Sequence, residues 1–252
     1  MQRHKLIVAN WKMHKTNSEV EEFILKIKER LRYTDHRETV ICPSFVSIIT
    51  AYDCAKHSKL AIGAQDMYFE DEGAYTGEIS GRMLKDFCRY VIIGHSERRE
   101  FLGETDKTIN LKVKAAIRNG ITPILCVGET LEQRKEGKTM ETLISQIRAD
   151  TAGISNKDIK QIVVAYEPLW AISKGDSKHE PATPKQAQKE HNFIRKLLNS
   201  THDGAGDHIR IIYGGSVKST NISEFMREPD IDGALVGNAS LDIESFLRIA
   251  NF

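Results

Sequence analysis

The sequence predicts an α/β fold in which eight parallel strands close into a single (β/α)8 barrel, and three observations favour it. Short apolar runs alternate with amphipathic segments along the whole chain of 252 residues. Most of these runs are continuous and β-branched, which is typical of strands that are buried on both faces of a parallel sheet. Eight such units follow one another without a break in composition, so we expect one catalytic domain over residues 1–252.

The apolar runs define the predicted strands. They occupy residues 6–9, 40–42, 60–62, 91–93, 124–127, 162–165, 209–212 and 234–236. The first run is followed by Asn10, Trp11 and Lys12, and not by the glycine-rich turn that is typical of an open, dinucleotide-binding sheet. The absence of that turn favours the closed barrel over an open, doubly wound sheet.

Helices are predicted between the strands, where apolar residues recur at intervals of three and four. The first includes residues 20–31, with Asn17 or Ser18 available as its N-cap. Residues 143–147 repeat the pattern. Residues 193–198 belong to a further helix that we expect to begin at Pro184, since proline is favoured in the first turn of a helix.

Composition excludes several classes of partner. Lys plus Arg number 36 and Asp plus Glu number 35, so we expect neither nucleic acid nor an acidic membrane surface as a partner. No apolar run approaches the roughly 20 residues of a membrane span. The first run, residues 6–9, is too short for the apolar region of a signal peptide, so we expect none. The cysteines, with no C-x-x-C pair and no zinc-site spacing, are predicted to be buried, reduced thiols of a cytoplasmic protein without a metal: Cys42, Cys54, Cys88 and Cys126.

Polar and small residues follow five of the predicted strands. They are Asn10 and Lys12, then His95 and Glu97, then Glu167, then the turn at residues 213–216, and finally Gly237 and Asn238. The C-terminal ends of barrel strands converge on one mouth, where active sites lie. Each residue alone is consistent with a solvated charge, a structural side chain or an ordinary turn. Together they fit proton abstraction next to a carbonyl, stabilisation of an enediolate, and phosphate binding by backbone N–H groups.

Motifs spread over the whole chain carry a resemblance to one enzyme family. The main segments are residues 10–13 (NWKM), 93–99 (IGHSERR) and 165–172 (AYEPLWAI). Further matching segments are residues 63–65, 73–78, 126–129 and 213–217. In order and spacing they resemble the signatures of triosephosphate isomerase. The resemblance implies a TIM barrel that interconverts dihydroxyacetone phosphate and D-glyceraldehyde 3-phosphate in glycolysis and gluconeogenesis, through an enediolate and without a cofactor.

The resemblance also implies a role for each site residue. Glu167 is expected to be the base that moves the proton, and His95 to polarise the carbonyl as a neutral imidazole. Lys12, with Asn10 beside it, is expected to stabilise the oxyanion and help to bind phosphate, and Glu97 to lie near Lys12. The phosphate is expected to be bound by backbone N–H groups of Ser173, Ser216, Gly237 and Asn238.

A closing loop and a homodimer follow from the same resemblance. The loop between Pro168 and about Pro181 is expected to close over the phosphate, with Tyr213 and Ser216 as its latch. The segment from Gln65 to Glu78 is expected to insert into a partner subunit and to bring Thr76 near the partner's active site.

Two departures from the family pattern leave alternatives open. The loop after Gly175 has extra residues, and Asn238 stands where the family usually has glycine. Asparagine tolerates left-handed backbone angles better than most residues, so we expect its N–H to remain available. One alternative function is an isomerase of a four-carbon ketose phosphate. The other is a non-catalytic dimeric binding protein, which the presence of Lys12, His95 and Glu167 disfavours.

Overall fold

The computed structural model of the chain describes residues 3–172 and 181–252. Its strands are parallel and pair in sequence order into a closed barrel, in which β1 also pairs with β8. The predicted (β/α)8 barrel is therefore confirmed. The strands are β1 (Lys5–Asn10), β2 (Arg37–Cys42), β3 (Ala61–Ala64), β4 (Tyr90–Ile93), β5 (Thr122–Val127), β6 (Val163–Tyr166), β7 (Arg210–Tyr213) and β8 (Gly233–Val236).

Helices follow the strands and form the outer layer. They are α1 (Asn17–Lys28), α2 (Ile48–Ala55), α3 (Gly81–Leu84), α4 (Ser96–Phe101), α5 (Asp106–Arg118), α6 (Leu131–Lys135), α7 (Thr139–Asp150), α8 (Pro184–Thr201), α9 (Ile222–Met226) and α10 (Ile243–Ala250). Helix α8 begins at Pro184, as predicted. The predicted cap of α1 is wrong: Thr16 is the N-cap, because Glu19 lies three residues later and accepts the N–H of Thr16 at 2.7 Å.

Each strand contributes apolar residues to two cores. Leu6 and Val8 point into the barrel, whereas Ile7 and Ala9 pack against the helices. Because both faces are buried, the strands appear in the sequence as unbroken apolar runs. The barrel interior is filled by Leu6, Val8, Val40, Cys42, Ala61, Tyr90, Ile92, Ile124, Cys126, Val163, Ala165, Ile212 and Leu235.

The cysteines are all free thiols. Cys42, Cys88 and Cys126 are buried as predicted, whereas Cys54 is only partly buried, on α2. Burial raises the pKa of the Cys126 thiol well above its ordinary value. Within the described ranges, no helix combines the length and the apolar character that crossing a membrane requires.

Candidate active site

Lys12 lies just beyond β1 in a left-handed backbone conformation, with φ of 52°. Such a conformation costs a non-glycine residue on the order of 1–3 kcal/mol and persists only where its surroundings enforce it. Here Asn10 Oδ1 accepts the N–H of Lys12 at 3.0 Å, and Gln65 Nε2 donates to its carbonyl at 2.8 Å. The side chain lines the cavity described below, and its Nζ lies 2.5 Å from Glu97 Oε1.

His95 lies at the C-terminal end of β4 and is the N-cap of α4. Its Nδ1 accepts the backbone N–H of Glu97 at 3.3 Å. A ring nitrogen that accepts a hydrogen bond carries no proton, so this bond assigns the neutral imidazole with its proton on Nε2. That Nε2 lies 3.1 Å from Glu167 Oε1, which makes the imidazole a donor towards the carboxylate.

Glu167 follows β6 directly, and its side chain is 2 % exposed. Oε1 faces His95, and Oε2 accepts the backbone N–H of Ser96 at 3.0 Å. Two glycines make room for this residue. A Cβ at Gly128 would lie 1.8 Å from the Glu167 carbonyl oxygen, and a Cβ at Gly214 would lie 2.8 Å from its Cγ. The loops after β5 and β7 therefore pack directly against Glu167 and fix its position.

Lys12, His95 and Glu167 line one cavity together with the turns after β7 and β8. The remaining lining residues are Asn10, Ile172, Gly214, Gly215, Ser216, Val217, Lys218, Leu235, Gly237, Asn238 and Ala239. Neither the N–H of Gly237 nor that of Asn238 donates to an acceptor among the residues that the structure describes. These two groups are placed to bind an anion.

Ser216 lies in the same cavity, but its donors are engaged. Its N–H donates to the carbonyl of Ala171 at 3.1 Å, and its Oγ donates to the same oxygen at 2.8 Å. Ala171 ends the short 3-10 turn Leu169–Ala171, at the start of the loop after Glu167. Any phosphate bound by the N–H of Ser216 therefore requires this turn to move away.

The turn Leu169–Ala171 is fixed by a buried carboxylate that the sequence reasoning did not single out. Glu129 Oε1 accepts Trp170 Nε1–H at 2.9 Å and the hydroxyl of Tyr166 at 3.1 Å. The guanidinium of Arg134 lies 3.1 Å from the same oxygen and 4.1 Å from the Trp170 ring centroid. The available signal was the match at residues 126–129, which ends in this glutamate.

Tyr213, the last residue of β7, connects the site to the far end of that loop. Its ring stacks on Phe225 with centroids 4.4 Å apart. Burial raises the pKa of the Tyr213 hydroxyl, and the backbone of Ala182 opposes part of that rise. Ala182 lies next to Pro181, at which the described residues resume, so the hydroxyl is close to the start of this second range.

The remaining predicted site residues are Ser173, Asn238, Gln65 and Thr76. Ser173 lies outside the described residues. Asn238 opens the 3-10 turn Asn238–Ser240 without a positive φ, so the tolerance of asparagine for left-handed angles is not used there. Gln65, which was assigned to the intersubunit loop, contacts the Lys12 backbone, and Thr76 is exposed and outside the cavity lining.

Sequence reasoning missed three further contributors. The backbone N–H of Ser96 donates to Glu167. This contact depends on how α4 begins and not on the Ser96 side chain. Lys218 and Leu235 line the cavity. The position of Lys218, two residues after Ser216, was the only signal for it. In the ranges that the structure describes, no group of three or more His, Cys, Asp or Glu side chains is arranged to hold a metal ion.

Comparisons with known proteins agree along the chain. Residues 5–252 match the family model described as triosephosphate isomerase. The chain is similar to the triosephosphate isomerase of Moorella thermoacetica, with 49% identity over 99% of each chain. It is similar to that of a Roseiflexus species, with 47% identity over 99% of this chain and 98% of the relative. It is also similar to that of Dictyoglomus thermophilum, with 47% identity over 98% of each.

Proposed function

The chain belongs to the triosephosphate isomerase family, and we propose how its residues interconvert dihydroxyacetone phosphate and D-glyceraldehyde 3-phosphate. The observation that best supports the proposal is the 3.1 Å approach of His95 Nε2 to Glu167 Oε1, in the cavity that Lys12 also lines. A base, a neutral hydrogen-bond donor and an ammonium group thus surround one space. Nothing in this cavity favours the alternative of a four-carbon ketose phosphate.

Glu167 is the general base of the proposed reaction. Without substrate, the Nε2–H of His95 donates to Glu167 Oε1. When substrate binds, this N–H donates to the carbonyl oxygen of the substrate instead, which releases the Glu167 carboxylate. Glu167 then removes a proton from the carbon next to the carbonyl, and the electron pair of that C–H bond moves towards the carbonyl oxygen. In the resulting enediolate, the proton of the remaining hydroxyl moves to the oxygen that has become negative, with His95 Nε2 placed to pass it. Glu167 then returns its proton to the carbon that carried the carbonyl, so aldehyde and ketone exchange places.

Lys12 and His95 stabilise the negative charge that develops on the oxygens. The Nε2–H of His95 donates to the oxygen that becomes negative, and Lys12 supplies the positive charge. Glu97, 2.5 Å from Nζ, restrains the position of the Lys12 ammonium group. Asn10 acts by holding the peptide of Lys12 and by lining the cavity.

The phosphate is bound by backbone N–H groups of the turns after β7 and β8, which line the same cavity as Lys12. Gly237 and Asn238 supply two of them, and Ser216 supplies a third once Ala171 releases it. Ser173 is the proposed donor from the loop after Glu167, with Tyr213 and Ser216 as the latch. Closing the site excludes water from the enediolate, which suppresses side reactions such as loss of phosphate.

Replacing Glu167 by glutamine tests the assignment of the base. Glu167→Gln keeps the shape of the side chain and removes its basicity, so we expect turnover to fall by ~10²–10⁴-fold. Thermal unfolding measured by circular dichroism should stay close to that of the wild type. Glu141→Gln, at an exposed position on α7, is the matched control and should retain turnover. Turnover near the wild-type rate in Glu167→Gln would show that another group is the base.

The same family membership supports proposals about organisation. We propose one domain over residues 1–252, because β1 and β8 are paired and the first and last strands belong to one barrel. A cytoplasmic location is supported by the free thiols. A homodimer is supported by exposed apolar residues on the segments that follow β1 to β4, both in their loops and in α2, α3 and α4: Met13, Phe45, Val46, Ile49, Tyr75, Met83, Phe101 and Leu102.

A further inference from the structure

Lys218 lines the same cavity as Glu167 and Lys12, and the reaction described above gives it no role. Its side chain is exposed, and it lies two residues after Ser216 in the turn that follows β7. Lys218 forms no ion pair with any residue in the described ranges. The other lysine of the cavity, Lys12, is paired with Glu97 at 2.5 Å.

The charges around the cavity leave a place for this ammonium group. The positive charge of Lys12 is matched by Glu97, Glu167 is a carboxylate, and the hydrogen bond that Nδ1 accepts makes His95 neutral. Without Lys218 these groups sum to one negative charge. A phosphate monoester adds about −1.5 to −2 near pH 7. Because Glu97 matches the charge of Lys12, a second cation beside the phosphate would offset the repulsion between the phosphate and the remaining negative charge.

The backbone that carries Lys218 is held in place by Asn221. Asn221 Oδ1 accepts the N–H of Lys218 at 2.8 Å, and Asn221 Nδ2 donates to the carbonyl of Ser216 at 3.2 Å. The N–H of Ile222 donates to the carbonyl of Lys218 at 3.1 Å, and the side chain of Val217 is buried. Asn221 thus connects the backbone of Lys218 to the turn that carries Ser216. The backbone from which the Lys218 side chain extends is therefore fixed beside the phosphate-binding turn.

We propose that Lys218 is a substrate-affinity residue, whose ammonium group pairs with the phosphate of the bound triose phosphate. The proposal rests on the function proposed above and deepens it. The two cations of the cavity then have different roles. Lys12 acts on the reacting oxygens as well as on the phosphate, whereas Lys218 acts on the phosphate dianion alone. Because an exposed ammonium group acts partly at a distance, the effect weakens as ionic strength rises.

The test compares Lys218→Gln with Lys218→Arg and with a lysine at the other end of the barrel. Lys160 is exposed and lies in the 3-10 turn Asp158–Gln161, just before β6, so Lys160→Gln removes the same charge away from the mouth. The measurements are kcat and KM for dihydroxyacetone phosphate, and inhibition by inorganic phosphate, each at low and high ionic strength.

We expect Lys218→Gln to lower kcat/KM by about three- to tenfold, mainly by raising KM. This range lies between the effect of an exposed ion pair and that of a charge-assisted hydrogen bond. Inhibition by inorganic phosphate should weaken by a similar factor, and the dependence of kcat/KM on salt should become shallower. Lys218→Arg should retain most of the affinity. Circular dichroism and thermal unfolding establish that each variant is folded.

The proposal is overturned if Lys218→Gln changes KM and phosphate inhibition no more than Lys160→Gln does. A wild-type protein that does not turn over dihydroxyacetone phosphate would contradict the proposed function instead. In that case, titration of inorganic phosphate into wild type, Lys218→Gln and Lys160→Gln, followed by calorimetry, still tests Lys218. Equal affinities in the three proteins would reject it.

Discussion

At the scale of single residues, the site depends on the strained backbone of Lys12 and on the side chains that hold it in place, and the sequence shows these features only in part. Glu167, His95 and Lys12 were predictable because each lies within three residues of the end of an apolar run, and barrel strands converge at their C-terminal ends. The left-handed backbone of Lys12 was not predictable, because it depends on the side-chain amides of Asn10 and Gln65. Gln65 is distant in sequence, and only the fold orients the amide of Asn10.

Removing the charge of Lys12 tests whether it stabilises the developing oxyanion. Lys12→Met should lower kcat/KM by ~10²–10³-fold, since loss of one preorganised donor of this kind has effects of that size. Lys160→Met, at the opposite end of the barrel, should leave kcat/KM near the wild-type value. Steady-state kinetics on both triose phosphates makes the comparison. Retention of wild-type kcat/KM by Lys12→Met would remove Lys12 from the mechanism.

At the scale of elements, long periodic segments were predictable and short ones were not. Helices α1, α7 and α8 have enough apolar residues to display a helical period, and the strands appear as unbroken apolar runs. Helices α3 and α9 span one turn or little more, which is too short for a period to appear. Boundaries also differ: Leu31 continues the apolar pattern of α1, yet the helix ends at Lys28 and Leu31 is buried beyond it.

Helix α8 packs against β6 through a histidine that the sequence analysis did not single out. His191 is fully buried, and its Nδ1 lies 2.7 Å from the carbonyl of Ala187. Its ring meets Tyr166 edge-on, with centroids 5.7 Å apart. Burial lowers the pKa of His191 from 6.5 to about 4. His191 is therefore neutral in the folded protein at neutral pH.

This depressed pKa predicts a loss of stability in acid. Between pH 6.5 and 4 the unfolded chain binds a proton at His191 that the folded chain does not, so the free energy of unfolding falls as pH falls. At pH 5 the expected loss from this residue is about 2 kcal/mol. Urea unfolding of wild type and His191→Gln, at pH 7 and pH 5 and equal protein concentration, measures it. Equal losses in the two proteins would show that His191 does not contribute.

At the scale of the whole molecule, pairing of β1 with β8 brings the ends of the sequence into one barrel. The sequence predicted this because it contains eight similar units. The apolar surface on the segments that follow β1 to β4 was not predictable from periodicity, because residues of these segments become neighbours only when consecutive strands do. Val46, at 81% exposure, lies in that surface.

A charge in this surface should disrupt the proposed homodimer. Light scattering of the wild type should give about twice the chain mass of 28.5 kDa. Val46→Glu should shift the mass towards one chain and lower activity, since two carboxylates would face an apolar interface. Leu25→Glu, on the outer face of α1 at 41% exposure, is the control and should remain dimeric. A fully active wild-type monomer at micromolar concentration would contradict the homodimer.

The proposed mechanism requires that side chains of this chain alone interconvert the two triose phosphates. The decisive measurement is a coupled assay of glyceraldehyde 3-phosphate formation from dihydroxyacetone phosphate by wild-type protein, before and after exhaustive dialysis against EDTA. Lys12 and His95 supply the charge stabilisation for which other enzymes use a metal ion, so we predict the same rapid turnover in both samples. Absence of turnover, or turnover that is lost on chelation and restored by a divalent ion, would contradict this mechanism.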